Sequence, residues 1–333
     1  VLDRPLDGIR ILDLTRLLPG AYATLILADL GAEVIKIEDP EGGDTMRALP
    51  VSPGAPDYFA LLNRNKRSVT LNLRSPEAAP VLDALLSTAD VVVDSFRPAT
   101  ARRLGVDSAS LRSRHPRLIT ISIIGFGRGE PAGNSAAHDI NFQAAAGLIR
   151  PPALPGPLVG DVGSAMQAAI AALAAIVARQ KTNRGAGIDV TIAGAARAWA
   201  LFPTTAELAS PCYQIYEAAD GRWLALGALE TKFWRTFCER IERPDLLPFQ
   251  HARGAEGERA IAEIRAVVRE LTSDEWLERF HDADACLARV EPPWPPAAQT
   301  AAVPALGVDT DDVLGGAGID ASRRAGLRSA GVI

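Results

Sequence analysis

Apolar and polar positions along the first 125 residues change period in a regular way, and that alternation predicts an α/β architecture. Residues 9–14 form a short apolar run of strand length, broken at Pro19-Gly20. An apolar helical stretch follows at 21–30, with Gly31 as its C-cap, and 34–37 is the next strand. Strand, helix and strand joined this tightly make a βαβ unit, which calls for a right-handed crossover and a parallel sheet. The pattern recurs with a strand at 68–73, a helix at 75–87 and a strand at 90–94. A further helix at 98–104 and a β-rich run at 118–122 complete the block.

A Gly-rich turn, residues 125–131, closes it. Helices are then expected at 139–150 and 162–180, a strand at 188–192 and an Ala-rich helix at 193–202. From Ser210 the texture changes. Strands at 213–217 and 223–227 flank Asp220-Gly221, a strong hairpin signal. Helices follow at 232–241, 255–271 and 273–281, the last with Ser273 as N-cap and Glu275 close behind. The expected division is a large domain at 1–209, a small α+β domain at 210–295 and a C-terminal segment at 296–333, with a helix start at 309–312. Only 292–296 is biased in composition, and no internal repeat is visible.

Composition removes several classes. At 48% apolar and 23% charged residues the chain is an ordinary globular sequence rather than a disordered one. Thirty-five Lys plus Arg against 40 Asp plus Glu give −5, and no basic run offers a face to nucleic acid. Cys212, Cys238 and Cys286 are odd in number and lack CxxC spacing, so neither a disulfide framework nor a zinc site is expected. The most apolar stretch, 165–178, is interrupted by Gln167 and reads as too short for a bilayer. The first residues show no charged-then-apolar signal pattern. The expectation is a cytoplasmic protein with no membrane partner.

Few residues carry candidate chemistry. His115, His251 and His281 read as structural. His138 stands at a loop-to-helix junction, where it either moves a proton or caps a turn together with Asp139. Asp161, between Gly160 and Gly163 before the most apolar helix, is either an N-cap or an acid beside a ligand-approachable backbone. Glu230 follows a strand and either caps the next helix or orients a histidine. The basic cluster Arg64, Lys66 and Arg67, with Arg97, Arg102 and Arg103, is either solvated or faces phosphates. Gly125-x-Gly-x-Gly lacks dinucleotide spacing and follows the last strand of its block.

Several segments together carry a resemblance. They are Leu6-Asp-Gly-Ile-Arg-Ile-Leu-Asp-Leu-Thr15, Leu18-Pro-Gly20, Leu27-Ala-Asp-Leu-Gly-Ala-Glu-Val-Ile-Lys-Ile-Glu38, Asn63-Arg-Asn-Lys-Arg-Ser-Val-Thr-Leu-Asn-Leu73 and Asp94-Ser-Phe-Arg-Pro98. Residues 304–314 and the terminal Ala330-Gly-Val-Ile333 extend it. The chain resembles the class III CoA-transferase superfamily (CaiB/BaiF-like) over nearly its whole length, and within it the α-methylacyl-CoA racemases. The resemblance implies a Rossmann-like large domain, a small domain and an interlocked homodimer. The ligand it implies is an acyl-CoA thioester, bound as substrate between the large domain and the partner's small domain. No metal and no tightly bound cofactor are implied. It brings Lys36, Asp39, Leu71, Asn72, Leu73, Arg74, Ala137, Asp139, Ile140, Asn141 and Phe142 near the CoA or thioester, and Arg97 to a phosphate. Racemases often carry arginine where Asp39 stands, and an acid there repels a phosphate.

The resemblance also distributes catalytic roles. Transferases of the superfamily use one aspartate as nucleophile, whereas racemases use it as a base facing a histidine. His138, Asp161 and Glu230 match the racemase positions together, so the expected activity is inversion of a 2-methylacyl-CoA by two-base proton transfer through an enolate. Backbone amides after Gly160 would then hold the enolate oxygen. The alternatives are a CoA-transferase with Asp161 as nucleophile, and a non-catalytic acyl-CoA-binding member. The last is motivated by segments 199–212 and 291–303, which are shorter than in the racemases.

Overall fold

The computed structural model describes residues 3–49, 57–129, 135–202, 205–292 and 303–333. Part of the Gly-rich turn, Asn134 and nearly all of the Pro-biased stretch 292–296 lie outside them. The chain divides into two compact units, Val1–Leu201 with Pro296–Ile333, and Phe202–Pro295.

The first unit is built on six parallel strands: β1 (Arg10–Leu14), β2 (Glu33–Glu38), β3 (Lys66–Thr70), β4 (Val91–Asp94), β5 (Ile119–Ile124) and β6 (Gly187–Thr191). Their order, β3-β2-β1-β4-β5-β6, is the doubly wound arrangement, and its direction reverses between β1 and β4. The central strands are covered on both faces, which is why they read as mostly apolar runs and why their polar exceptions Asp13, Lys36 and Asp94 are buried. Helices Leu17–Asp29 and Val159–Thr182 pack on one face. Ala78–Ser87, Pro98–Leu104 and Ser108–Arg114 pack on the other, joined by the C-terminal helices Thr310–Gly316 and Ala321–Ser329. That returning tail covers the β3 edge: Ser68 N–H donates to Asp309 (2.9 Å), Thr70 N–H to Thr310 Oγ1 (3.0 Å) and Asn72 N–H to the Val332 carbonyl (2.8 Å).

Two expectations change in this unit. The first helix starts at Leu17, running through the Pro19-Gly20 break, because a proline in the first turn has no intrahelical N–H to lose. Gly20 is needed there, since a Cβ would lie 2.1 Å from Thr15 Cβ. The apolar stretch near 165–178 belongs to a 24-residue helix, long and apolar enough by length and composition to cross a membrane. Its small residues Ala165, Ala168, Ala169, Ala172 and Ala175 instead pack beneath β1, β4 and β5.

The second unit is an antiparallel sheet in the order β7-β8-β9: β7 (Tyr213–Glu217), β8 (Trp223–Gly227) and β9 (Leu287–Arg289). The hairpin falls where the sequence predicts it, with Gly221 at φ 73°. At three residues, β9 is too short to show a period. Helices Thr231–Arg240, Gly254–Val268 and Ser273–Arg279 complete a core around Tyr216, Trp234, Phe237 and Trp276. The cap of the last helix is Thr272 rather than Ser273. Its N–H donates to Glu275 Oε2 at 2.7 Å, so the capping box begins one residue earlier.

Candidate active site

Both strands at the sheet's point of reversal carry an aspartate in their last two residues that folds the following loop. Asp13 Oδ1 accepts from Thr15 N–H (2.9 Å) and Oγ1 (2.6 Å) at the end of β1. Asp94 Oδ1 accepts from Phe96 N–H (3.0 Å) and its Oδ2 from Ser122 Oγ (2.7 Å) at the end of β4. Arg16 N–H donates to Ser95 Oγ (3.0 Å), tying the two loops together. Leu17 takes the left-handed conformation, φ 64°. Strain of that kind at a non-glycine residue persists only where surrounding structure holds it. The site therefore sits where doubly wound folds bind ligands, outside the carboxyl ends of the strands.

Two clefts open on these loops. The smaller, about 210 Å³, is lined by Asp39, Leu71, Asn72, Leu73, Arg74 and Arg103 among others. Asp39 does not stand there as a bare acid, because Arg74 pairs with it at 2.7 Å. The larger, about 350 Å³, is lined by Arg97, Ala137, His138, Phe142 and Asp161. Arg16 and Phe96 line both, so the clefts meet there.

His138 precedes helix Asp139–Ala145, and its N–H donates to Asn141 Oδ1 (3.0 Å). Phe142 is buried edge-on against Phe126, their ring centroids 5.1 Å apart, which fixes that helix under the cleft. Ile140 is exposed and does not line the cleft. Asp139 is buried and accepts from Asp161 N–H (2.8 Å) and from Gln143 Nε2. Asp139 thus pins the first turn of the 159–182 helix, and Asp161 with it. Gly160 allows this contact, since a Cβ would come within 2.9 Å of Asp139 Oδ1. Burial, with Asp139 as a neighbouring negative charge, pushes the Asp161 carboxyl up to about 7. An acid so tuned titrates at working pH, as a base or nucleophile requires.

The structure brings His138 and Asp161 onto one cleft; Glu230 belongs to the second unit. There it is exposed, at the N-cap position of helix Thr231–Arg240, where its carbonyl accepts from Phe233 and Trp234 N–H but its side chain caps nothing. The amides expected to hold an enolate oxygen are already engaged: Asp161 N–H donates to Asp139 and Val162 N–H to the Leu158 carbonyl (2.9 Å). The remaining histidines make local contacts, His115 with Asp83 (2.9 Å), His251 with Cys212 (3.5 Å) and His281 with the Glu278 carbonyl (2.7 Å).

The expected phosphate-binding cluster Arg64, Lys66 and Arg67 is paired with acids of the fold itself. Lys66 is fully buried, its Nζ within 3.1 Å of Asp13 and donating also to Ala21 O, Thr24 Oγ1 and Asn63 Oδ1. Lys36 is buried against Asp44 (2.8 Å) and donates to the Thr15 carbonyl (3.1 Å). Burial alone would raise Asp13, but Lys36, Lys66 and the two threonine hydroxyls outweigh it and hold the carboxylate ionised. Arg64 pairs with Asp29, and Arg67 with Glu33, Asp309 and Asp312. These side chains tie β1, β2 and β3 to one another and to their flanking segments, and they themselves line neither of the two clefts. Among the described residues no group of three or more His, Cys, Asp or Glu is placed to hold a metal ion. Sequence reasoning missed Arg16, Leu17, Ser95 and Phe96. The signal available was their place in the turns after β1 and β4, on either side of the reversal.

Residues 6–303 match the profile of CoA-transferase family III. A succinyl-CoA:mesaconate CoA-transferase of Haloarcula marismortui is 34% identical over 82% of this chain and 77% of its own. A probable fatty acyl-CoA transferase of Mycobacterium tuberculosis is 32% identical over 86% and 82%. Among solved structures, a hypothetical protein of Mycobacterium tuberculosis matches with TM-score 0.79 at 27% identity, over 93% of this chain and 99% of that one. A CaiB/BaiF family protein of Brucella suis matches with TM-score 0.73 at 26% identity, over 87% and 85%.

Proposed function

Because the chain belongs to CoA-transferase family III, we propose that it moves CoA between carboxylic acids with Asp161 as the nucleophile. The observation that carries this reading is Asp161 itself: partly buried, pinned through its amide by Asp139, and facing a cleft continuous with a second one. In the first step the Asp161 carboxylate attacks the thioester carbonyl and CoA leaves as thiolate, forming a mixed anhydride. The thiolate then attacks the aspartyl carbonyl, releasing the first acid and leaving an aspartyl-CoA thioester. The acceptor carboxylate reverses both steps, with no net oxidation and no added reactant. The smaller cleft, with Arg103, Arg16 and Arg74, suits the phosphate end of CoA, and the larger one the acyl end.

The matching positions of His138, Asp161 and Glu230 led the sequence to favour inversion. Two findings weigh toward transfer. The relatives' names describe CoA transfer, and the amides a two-base mechanism would use for the enolate are engaged. The test is to incubate the protein with succinyl-CoA or butyryl-CoA and quench with hydroxylamine. An Asp161 hydroxamate found by peptide mass spectrometry is the expected result. Exchange of the α-proton of a 2-methylacyl-CoA with heavy water, without an adduct, would overturn it in favour of the racemase.

The same reading takes the active form as a homodimer. Helix Val159–Thr182 leaves Met166, Ile170 and Val177 exposed at helical spacing, an apolar stripe that a second copy would cover. Light scattering at micromolar protein is expected to give twice the 35.2 kDa chain mass. A single-chain mass with full activity would end that idea.

A further inference from the structure

We infer that Gln143 is a positioning residue for Asp161: with Asp139 it forms a two-pronged brace that holds the chain entering helix Val159–Thr182, and with it the carboxylate that reacts. The inference rests on the transferase reading in taking Asp161 as the reacting group. Gln143 and Asp139 stand four residues apart on helix Asp139–Ala145, which sets them on one face. Both are buried. Gln143 Nε2 donates to Asp139 Oδ2 and to the Pro157 carbonyl (3.0 Å). The other carboxylate oxygen, Asp139 Oδ1, accepts from Asp161 N–H (2.8 Å). One side-chain amide thus grips both ends of residues 157–161, one end directly and the other through Asp139.

The chemistry at this point calls for two protons on one atom. Both partners of Gln143 Nε2 are acceptors, a carboxylate and a carbonyl, and an oxygen in its place would face them without a donor. The helix start needs the brace because its first amides have no intrahelical acceptor, and Leu158 at the N-cap offers no side chain to them. Asp139 substitutes from a neighbouring helix, and Gln143 on Oδ2 keeps Oδ1 aimed at Asp161. The support is itself fixed. His138 N–H donates to Asn141 Oδ1 (3.0 Å) at one end of the short helix, and Leu148 N–H donates to the Gln143 carbonyl (3.0 Å) at the other.

The brace also sets the electrostatics of Asp161. Its carboxyl is raised first by burial and then by the Asp139 charge. Helix Ile192–Trp199 meets the same turn through Ile192, Ala195, Ala196 and Trp199, none of which titrates. On the open side, His138, Arg16 and Arg97 line the cleft with Asp161. Releasing Gln143 lets the turn loosen toward solvent and away from Asp139. Both changes lower the Asp161 carboxyl toward its ordinary range, while the groups on the open side stay in place. A carboxylate held less firmly also attacks the thioester from the wrong position more often.

The test is Gln143→Met, which keeps the length and volume of the side chain and removes both protons. CoA transfer between succinyl-CoA and labelled succinate is expected to show kcat about thirtyfold lower. KM for the thioester should be unchanged, because Gln143 lines neither cleft. In NMR of protein carrying isotope-labelled aspartate, the Asp161 signal is identified by its loss in Asp161→Asn. In the methionine variant it should titrate below the value of about 7 held in the unmodified protein. Unchanged KM also reports that the variant is folded. Gln143→Glu has the same shape with at most one proton to donate, so it should lower kcat too, and it carries the comparison if the methionine variant does not fold. An unchanged kcat, a loss confined to KM, or an Asp161 midpoint that stays in place overturns the assignment. The titration needs no turnover and so separates the two readings. A midpoint that moves, in a protein with no CoA transfer, would sink the transferase and leave the brace standing.

Discussion

Asp161→Asn is expected to lower the rate of CoA transfer by about ten-thousandfold or more, because the amide cannot form the anhydride. The substitution keeps the shape of the side chain and leaves the backbone N–H that Asp139 accepts. Acyl-CoA affinity should therefore change little, which separates lost chemistry from lost binding. In the unmodified protein, only the carboxylate form attacks. With the carboxyl pushed up to about 7, kcat/KM for the free enzyme should rise with pH through neutrality and level off above it. Stability should move the other way. The folded state holds this proton more tightly than the unfolded chain, whose value is near 3.8. The contribution is thus fully present below that value and lost as pH rises through about 7. Asparagine removes the loss, so the variant should be the more stable protein at pH 8, by a few kcal/mol at most and less where solvent screens the group. Steady-state rates with paired thermal melts at pH 5 and pH 8 check both halves. A variant that keeps a tenth of the wild-type rate would rule out Asp161 as nucleophile.

Lys66→Met carries the second large effect, on folding rather than chemistry. Lys66 and Asp13 are buried together, and removing Lys66 leaves an under-compensated charge inside the protein, with Lys36 as its remaining cation. Breaking a buried pair this way costs roughly 3–5 kcal/mol. Thr24, Asn63 and the Ala21 carbonyl lose a partner in the same step. Changing both residues, Asp13→Asn with Lys66→Met, should recover part of the loss, because the orphaned charge disappears. Urea unfolding of the two single variants and the double variant measures this, with CoA affinity followed on the folded protein. A loss below about 1 kcal/mol, together with a weaker salt dependence of CoA binding, would return Lys66 to the ligand.

The fold was legible because its evidence is local. Residues 9–14, 34–37 and 90–94 are mostly apolar, as strands covered on both faces are, and 213–217 and 223–227 flank a Gly221 that only a turn explains. The helix at Pro98–Leu104 was legible to the residue from its proline and Gly105. Tyr58–Asn63 and Ser108–Arg114 were missed, being too short at six and seven residues to display a period. Strand β9 failed for the same reason.

The site divides along a different line. His138, Asp139 and Asp161 were singled out from their place at helix starts, and their meeting on one cleft depends on a hydrogen bond spanning 22 residues that no local pattern contains. The basic residues show the limit most clearly. Arg64, Lys66, Arg67, Arg74 and Arg97 look alike in sequence, since each is a cation near a predicted strand end. Whether a cation faces a ligand depends on which acid the fold sets beside it. Asp29 reaches Arg64 from 35 residues away, Asp13 reaches Lys66 from 53, and Asp309 reaches Arg67 from 242. Arg97 meets none among the described residues. By itself the sequence determined most of the strands and helices, the family resemblance and the choice of Asp161 and His138 as candidates, because backbone period and chemical type are properties of short segments. Only the tertiary structure decided which charges are neutralised and which remain open to substrate, because the energy of a charge depends on its distance to other charges and on its burial, and chain folding alone sets both.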